Sequence, residues 1–230
     1  MRYREIWKVY GKVFDINTLK ALDDLKNDNF IEDEMIPISE GKEAIVFKSG
    51  NKAVKIYKVL NISYKDQLRY LKMDNRFKSF PTTQIGIIYI WVKKEFINLR
   101  RMYKSLVNVP IPYVYKKNVL VMEYIGDENV YLLHDIIDQI ENKEEIWFKI
   151  LDEYKKIYNK AKLIHGDFSE YNLIYYKNKI FVIDVSQAIP ISSPYADELL
   201  GRDLRNLENL SRKLGLNFDI NMIKEYIGIP

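Results

Sequence analysis

Three polar residues in an otherwise apolar stretch have the types and spacing to do chemistry together. Asp167 and Asn172 lie five residues apart in His-Gly-Asp-Phe-Ser-Glu-Tyr-Asn, and Asp184 ends a later apolar run. The sequence between Asn172 and Asp184 reads as two short strands joined by a polar turn. Such a hairpin would bring Asn172 close to Asp184, with Asp167 on the loop just before it. Two carboxylates and an amide at one point form an oxygen-rich site for a hard cation such as magnesium.

This arrangement is also the metal-and-base half of a kinase-type phosphoryl-transfer site. The step from Asp167 to Asn172 matches the step from the catalytic aspartate to the metal-binding asparagine of protein kinases, with His165-Gly166-Asp167 in place of His-Arg-Asp. In an isolated motif, Asp and Asn would be read as turn formers. The order of motif, hairpin and final aspartate favours catalysis, with Asp167 as the base and His165 as a structural residue.

The composition sets the outer bounds. The chain has 230 residues, of which 47% are apolar and 30% charged, with a net charge of +4 and no cysteine. Disulfides and thiolate zinc sites are therefore excluded, and a reducing, cytoplasmic compartment is expected. No apolar run approaches the roughly 20 residues that span a bilayer, and the N-terminus has no signal-peptide core. We expect neither a membrane nor DNA as a partner.

The segment upstream predicts the phosphate-binding half of the site. Residues 38–57 read as three strands, separated by a polar turn with Gly41 and by the hairpin turn Ser49-Gly50-Asn51. Backbone amides in the first turn can cover a triphosphate, and Gly41 permits a close approach. Lys55 alternates with apolar neighbours in the third strand. It therefore points into a cleft, as the lysine of the kinase Val-Ala-Ile-Lys motif does.

A helix further along the chain carries Glu95. Its apolar residues are Trp91, Phe96, Leu99 and Met102. We expect Glu95 to form an ion pair with Lys55 that holds the lysine against the phosphates. The alternative is a solvated helix charge. Residues 60–90 are ambiguous and read either as a mobile segment near a substrate entrance or as an ordinary long loop.

The remaining segments predict the elements around these residues. A short leading helix covers residues 17–29, with Asp15 or Asn17 as its N-cap. Two strands cover residues 109–115 and 118–126 and lead into a hinge at Gly126-Asp127. Backbone groups around Glu123 and Ile125 are expected to bind the adenine edge, with Met122 lining its pocket. This assignment depends only on order along the chain.

The part after the hinge is predicted to be helical. Asn142 with Glu145 resembles a capping box that opens an amphipathic helix leading to the catalytic loop. A last helix covers residues 196–214. On it, Asp203 either braces the catalytic loop by hydrogen bonding or is a solvated charge.

Three segments together resemble the RIO family of atypical serine/threonine protein kinases. They are Ser39-Glu-Gly-Lys-Glu-Ala-Ile-Val-Phe, His165-Gly-Asp-Phe-Ser-Glu-Tyr-Asn and Ile183-Asp-Val-Ser-Gln-Ala. The Asp-Val-Ser-Gln ending looks like the first RIO subfamily, in its compact archaeal form. The resemblance covers residues 12–215, including a helix over residues 13–31.

The resemblance implies an α+β, protein-kinase-like bilobal fold, reduced by the lack of an activation loop and of peptide-binding helices. It has an N-terminal extension (residues 1–30), an N-lobe with an antiparallel sheet (31–125) and a mainly helical C-lobe (126–230).

The resemblance also assigns roles to single residues. Lys55, Asp167 and Asp184 would be catalytic, with Lys55 holding the phosphates of ATP and Glu95 positioning Lys55. Asn172 and Asp184 would bind Mg²⁺, with Mn²⁺ as an alternative. The phosphate-binding loop would contain Ser39, Gly41 and Lys42. Glu40 departs from the pattern, because the subfamily usually has a small residue or threonine there. Its charge would weaken nucleotide binding unless it points away.

The resemblance implies a kinase or ATPase that phosphorylates itself and assists maturation of the small ribosomal subunit. The RNA and proteins of the subunit precursor would then be its partners. Transfer to water, or to the Asp184 carboxylate, would give an ATPase. Basic pairs at Lys93-Lys94 and Arg100-Arg101 are candidates for RNA contact. Two alternatives stay open. One is a small-molecule phosphotransferase of the aminoglycoside or choline kinase type, and the other is a nucleotide-binding scaffold.

Overall fold

The computed structural model describes residues 5, 8, 10, 11, 14–59, 64–128 and 130–230. Val13, predicted to begin the family's leading helix, and residues 60–63 of the ambiguous segment lie outside this part. The chain divides into two compact units. The first comprises residues up to Lys72 with 76–97 and 111–124, and the second comprises 73–75, 98–110 and 125–230. No described helix is both long and apolar enough to cross a membrane.

The first unit is built on an antiparallel sheet with strand order β1-β2-β3-β5-β4. Its elements are α1 (Ile16–Asn27), β1 (Ile36–Glu40), β2 (Ala44–Ser49), β3 (Lys52–Tyr57), α2 (Lys65–Met73), α3 (Gln84–Lys104), β4 (Pro112–Lys116) and β5 (Val119–Glu123). The ends of α2 and α3, beyond Lys72 and Ile97, belong to the second unit. The ambiguous segment therefore contains helix α2 and the beginning of helix α3.

Helix α1 covers one face of this sheet. Asp15 is the N-cap, because its Oδ1 accepts from the backbone N–H of Thr18 at 2.9 Å. Apolar residues of α1 pack on those of the sheet in one core, formed by Phe14, Ala21, Leu22, Leu25, Ile45, Phe47, Val54, Ile56, Val119 and Val121. Side chains alternate across a strand, so Lys55 and Tyr57 of β3 lie on the opposite face from Val54 and Ile56.

The second unit is mainly helical. It contains α4 (Leu133–Ile136), α5 (Lys143–Lys156), α6 (Ala196–Lys213) and α7 (Ile220–Ile227), with the short strand pairs β6 (Leu163–Ile164) with β9 (Ile189–Pro190) and β7 (Leu173–Tyr176) with β8 (Lys179–Val182). The predicted cap is present, since the Glu145 N–H donates to Asn142 Oδ1 at 3.1 Å. A sheet-based first unit and a helical second unit confirm the predicted fold class.

Candidate active site

The hairpin β7–β8 brings together the residues predicted to act as metal ligands and base. Its register pairs Leu173 with Val182. One step further, the Ile183 N–H donates to the Asn172 carbonyl at 3.0 Å, which places Asp184 beside Asn172. Asn172 Nδ2 donates to the Asp167 carbonyl at 2.8 Å and lies 3.3 Å from Asp167 Oδ2. The proximity of Asp167, Asn172 and Asp184 that the sequence predicts is therefore present.

The two residues before Asp167 shape the loop that carries it. Gly166 has φ +83°, and a Cβ there would lie 3.1 Å from Leu199 Cδ1, so the loop requires glycine. His165 is fully buried, and its Nδ1 accepts from the Asp167 N–H at 3.3 Å. Its Nε2 therefore carries the proton and donates to the Ile183 carbonyl at 3.2 Å. His165 thus joins the loop of Asp167 to the strand that leads to Asp184.

Asp203 braces the same loop from helix α6. The side chain is fully buried and accepts three hydrogen bonds of 2.9 Å, from the N–H groups of Gly166 and Phe168 and from the Tyr154 hydroxyl. Of the two interpretations left open by the sequence, the brace is correct. Burial raises the pKa of Asp203, although these hydrogen bonds oppose the shift. Burial is the main reason that the pKa of Tyr154 lies well above its ordinary value, and the negative charge of Asp203 is the second.

Asp184 has an unusual backbone conformation. Its φ of 53° and ψ of 59° lie in the left-handed region, which aspartate tolerates better than most residues. Ser186 Oγ donates to Asp184 Oδ1 at 3.1 Å. Asn98 Nδ2 donates to the carbonyls of Val185 and Ala188 at 2.8 and 2.9 Å, which holds the segment just after Asp184. Sequence reasoning missed Asn98, because a single amide on the helix that carries Glu95 is not distinctive in the sequence. Its complete burial is visible only in the structure.

The donor set fits magnesium. Asn172 uses its Nδ2 group on Asp167, which directs its Oδ1 as the oxygen for a cation, and Asp184 adds a carboxylate. Within the described ranges, no group of three or more His, Asp or Glu side chains could hold a metal alone. Mg²⁺ commonly takes one or two protein ligands and completes its shell with water and substrate phosphates. Asn172 and Asp184 suit that mode of binding.

The lysine of the first unit has a buried partner. Lys55 Nζ lies 2.8 Å from Glu95 Oε1, and the residues are 8% and 1% exposed. Glu95 is therefore not a solvated helix charge, and the predicted ion pair is present. The Tyr57 hydroxyl donates to the other oxygen, Glu95 Oε2. The role of this pair at the phosphates remains a prediction.

The loop between β1 and β2 contains the predicted phosphate-binding residues. Ser39, Gly41 and Lys42 are all exposed, and the Gly41 N–H donates to the Ala44 carbonyl at 2.9 Å. Glu40 Oε1 pairs with Lys58 Nζ at 3.0 Å, and Lys58 Nζ also donates to the Gly41 carbonyl at 2.9 Å. The negative charge of Glu40 is thus matched by a cation that also holds the loop.

Some of the backbone N–H groups near the proposed adenine site already donate hydrogen bonds within the first unit. The N–H of Glu123 donates to the Ile111 carbonyl at 2.8 Å, and the N–H of Tyr124 donates to the Asn51 carbonyl at 3.1 Å. Glu123 can therefore offer only its carbonyl to a base. Met122 lies half-buried on β5, and Ile125 belongs to the second unit. Their adenine-binding role stays a prediction.

A sequence model of the RIO domain matches residues 41–223. The chain is 36% identical over 228 residues to the RIO-type serine/threonine-protein kinase Rio1 of Haloferax volcanii, which covers 96% of this chain and 78% of that protein. The chain belongs to the RIO family. The Rio1 of Methanocaldococcus jannaschii, which carries the same name, is 33% identical over 231 residues, covering 98% of this chain and 79% of that protein.

A solved RIO structure shares the fold. It is the Rio2 kinase–ADP/Mg²⁺–phosphoaspartate complex from Chaetomium thermophilum, which matches with a TM-score of 0.65 at 17% identity. The match covers 91% of this chain and 66% of that one. At this identity the match supports the kinase-like RIO architecture only.

The prediction that Lys93 and Lys94 both contact RNA needs correction. Lys94 is fully buried, with Nζ 5.1 Å from the centre of the Trp91 ring, so it is not available for RNA. The sequence suggested a basic cluster because Lys93 and Lys94 are adjacent, but neighbouring residues on a helix point in different directions. Lys93 and Arg100 are exposed.

The pairing of Glu40 with Lys58 predicts how the proposed phosphate-binding loop tolerates an acidic residue. Lys58→Met should weaken Mg·ATP binding by exposing an unpaired carboxylate, whereas the double variant Glu40→Gln/Lys58→Met should regain most of the affinity. For a partly exposed pair we expect a coupling of about 0.5–1 kcal/mol. Calorimetric titration of the four proteins would measure it. Lys52→Met, at the other end of β3, is the control for net charge, and additive effects would contradict the prediction.

Proposed function

We propose that this RIO-type serine/threonine-protein kinase transfers the γ-phosphate of ATP, with Mg²⁺, to hydroxyl groups of proteins, including its own. The observation that supports this best is the hydrogen-bonded arrangement of Asp167, Asn172 and the strand end before Asp184. In this arrangement the Asp167 carboxylate lies beside the Asn172 amide, and the Asp184 carboxylate lies on an exposed turn with left-handed backbone angles. This is the donor set that phosphoryl transfer requires.

The chain's own residues have separate tasks in this proposal. Lys55 orients the phosphates, and its pairing with Glu95 keeps the ammonium in place. Asp167 aligns the acceptor hydroxyl and takes its proton, and the Asn172 amide fixes that carboxylate. Asn172 and Asp184 would hold Mg²⁺, which would neutralise charge on the phosphates.

The acceptor includes a carboxylate of the protein. The related Rio2 kinase from Chaetomium thermophilum forms a phosphoaspartate complex with ADP and Mg²⁺. We propose that Asp184 serves as the phosphorylated aspartate here. Its carboxylate oxygen attacks the γ-phosphorus, ADP leaves, and water then hydrolyses the acyl phosphate to release inorganic phosphate. The net reaction is ATP hydrolysis.

The partner proposed from family resemblance is the precursor of the small ribosomal subunit. Exposed cations such as Lys93 and Arg100 suit contact with its RNA. Binding to the RNA should then weaken steeply with salt, which a titration at two ionic strengths would measure.

Incubation with γ-labelled ATP tests the enzymatic part. We expect Mg²⁺-dependent labelling of the protein and release of phosphate, both abolished by a chelator. Hydroxylamine should remove label from an acyl phosphate and leave label on serine or threonine. Labelling of an added aminoglycoside or choline instead of protein would favour the small-molecule phosphotransferase. Tight ATP binding with no transfer at all would favour the scaffold.

A further inference from the structure

Tyr57 holds the carboxylate that holds the catalytic lysine. It follows Lys55 by two residues on β3, so both side chains leave the same face of the sheet. Tyr57 is 2% exposed, and its hydroxyl donates to Glu95 Oε2 while Lys55 Nζ donates to Oε1. Both oxygens of Glu95, a residue that is 1% exposed, therefore have a donor. The Tyr57 ring also lies 5.0 Å from Lys55 Nζ, within cation–π range.

Asn118 holds Tyr57 in turn. The Tyr57 N–H donates to the Asn118 carbonyl at 2.9 Å, and Asn118 Nδ2 donates back to the Tyr57 carbonyl at 2.8 Å. Asn118 is fully buried, so these bonds have no competition from water. The opposite orientation of its amide would place Oδ1 against the Tyr57 carbonyl, which fixes the assignment.

The same amide reaches helix α1. Asn118 Nδ2 also donates to Thr18 Oγ1 at 2.9 Å. Thr18 Oγ1 in turn donates to Asp15 Oδ1 at 3.0 Å, the N-cap of the helix. Hydrogen bonds therefore join the N-terminus of α1, through Thr18 and Asn118, to the backbone of Tyr57. The Tyr57 side chain then makes its own bond to Glu95 through the hydroxyl. Every member lies within the first unit.

We propose that Tyr57 is a positioning residue for Lys55, and that helix α1 supports it through Thr18 and Asn118. Removal of the hydroxyl deletes one hydrogen bond that fixes the orientation of a buried carboxylate. The carboxylate can then turn more easily and carry the Lys55 ammonium away from the phosphates. The inference rests on the proposed function in one respect only, namely that Lys55 contacts the phosphates of ATP.

Tyr57→Phe tests this, because it deletes the hydroxyl and keeps the ring. We expect the affinity for Mg·ATP to fall by roughly three- to tenfold while the affinity for adenosine, which has no phosphates, stays unchanged. Calorimetric titration with each ligand would measure the two constants. The matched control is Tyr115→Phe, which removes a hydroxyl from β4 of the same sheet, where the ring packs on Phe96.

Thr18→Val is the second variant and acts from a distance. It keeps the shape of the side chain and removes the acceptor for Asn118, so we expect a loss in the same direction of about two- to threefold. A merely structural role would lower the melting temperature and leave the ratio of Mg·ATP to adenosine affinity unchanged in both variants. That result, with a normal wild-type preference for Mg·ATP, would overturn this inference alone. If the wild-type protein bound Mg·ATP no better than adenosine, the proposed function would fall with it.

Discussion

Asp167→Asn is expected to lower the rate of phosphoryl transfer by about 10²- to 10⁴-fold, the contribution of a positioned general base. The amide has nearly the same size, but it cannot take the proton of the acceptor hydroxyl. Asn172 Nδ2 bonds mainly to the Asp167 backbone carbonyl, which the substitution keeps. The loop should therefore stay in place. Single-turnover transfer from γ-labelled ATP, counted as the protein label that survives hydroxylamine, would measure the rate of transfer to hydroxyl groups.

Binding and folding are the controls for this result. Mg·ATP affinity should change by no more than about twofold, because the proposed metal ligands Asn172 and Asp184 are untouched. Asp197→Asn, at an exposed position in the first turn of helix α6, should keep the wild-type rate. A variant at Asp167 with more than a tenth of the wild-type rate would show that another group accepts the proton.

Asp203→Ala should produce the largest loss of stability. Three donors, the N–H groups of Gly166 and Phe168 and the Tyr154 hydroxyl, would lose their buried acceptor. Each unsatisfied buried group costs about 1–3 kcal/mol, and partial entry of water reduces the sum. We expect the free energy of unfolding of the second unit to fall by about 3–5 kcal/mol. Urea denaturation, followed by tryptophan fluorescence to which the buried Trp147 of the second unit contributes, would measure it.

A graded series separates this bracing role from general sensitivity. Tyr154→Phe removes one of the three bonds and should cost about 1 kcal/mol, and the exposed Asp197→Ala should cost less than about 0.5 kcal/mol. Equal losses in all three variants would contradict the prediction.

The contribution of Asp203 to stability should also depend on pH. Because burial raises the pKa of Asp203 above 3.8, the contribution of this carboxyl group to the free energy of unfolding is complete below that pH. It declines as pH rises through the folded-state pKa. The stability gap between wild type and Asp203→Ala should therefore narrow as the pH rises above 3.8.

Much of the candidate site could be predicted from sequence because it is local. Asp167, Asn172 and Asp184 lie within 18 residues of one another, and a tight hairpin between the last two leaves few ways to arrange them. The five-residue step in the catalytic loop and the alternation around Lys55 are likewise properties of short segments. The same holds for the cap of helix α5 by Asn142. Local periodicity and capping depend on neighbours in the chain, so the chain itself specifies them.

Only the tertiary structure decided what the other polar residues do. Glu95, Asp203 and Lys94 could each have been a solvated charge, and the three outcomes are an ion pair, a loop brace and a buried lysine. Their partners are separated in sequence, by 40 residues for Lys55–Glu95 and 37 for Gly166–Asp203. The fate of a charge depends on burial and on the donors that surround it, and packing between distant segments determines both. The Tyr57–Asn118–Thr18 chain exists for the same reason.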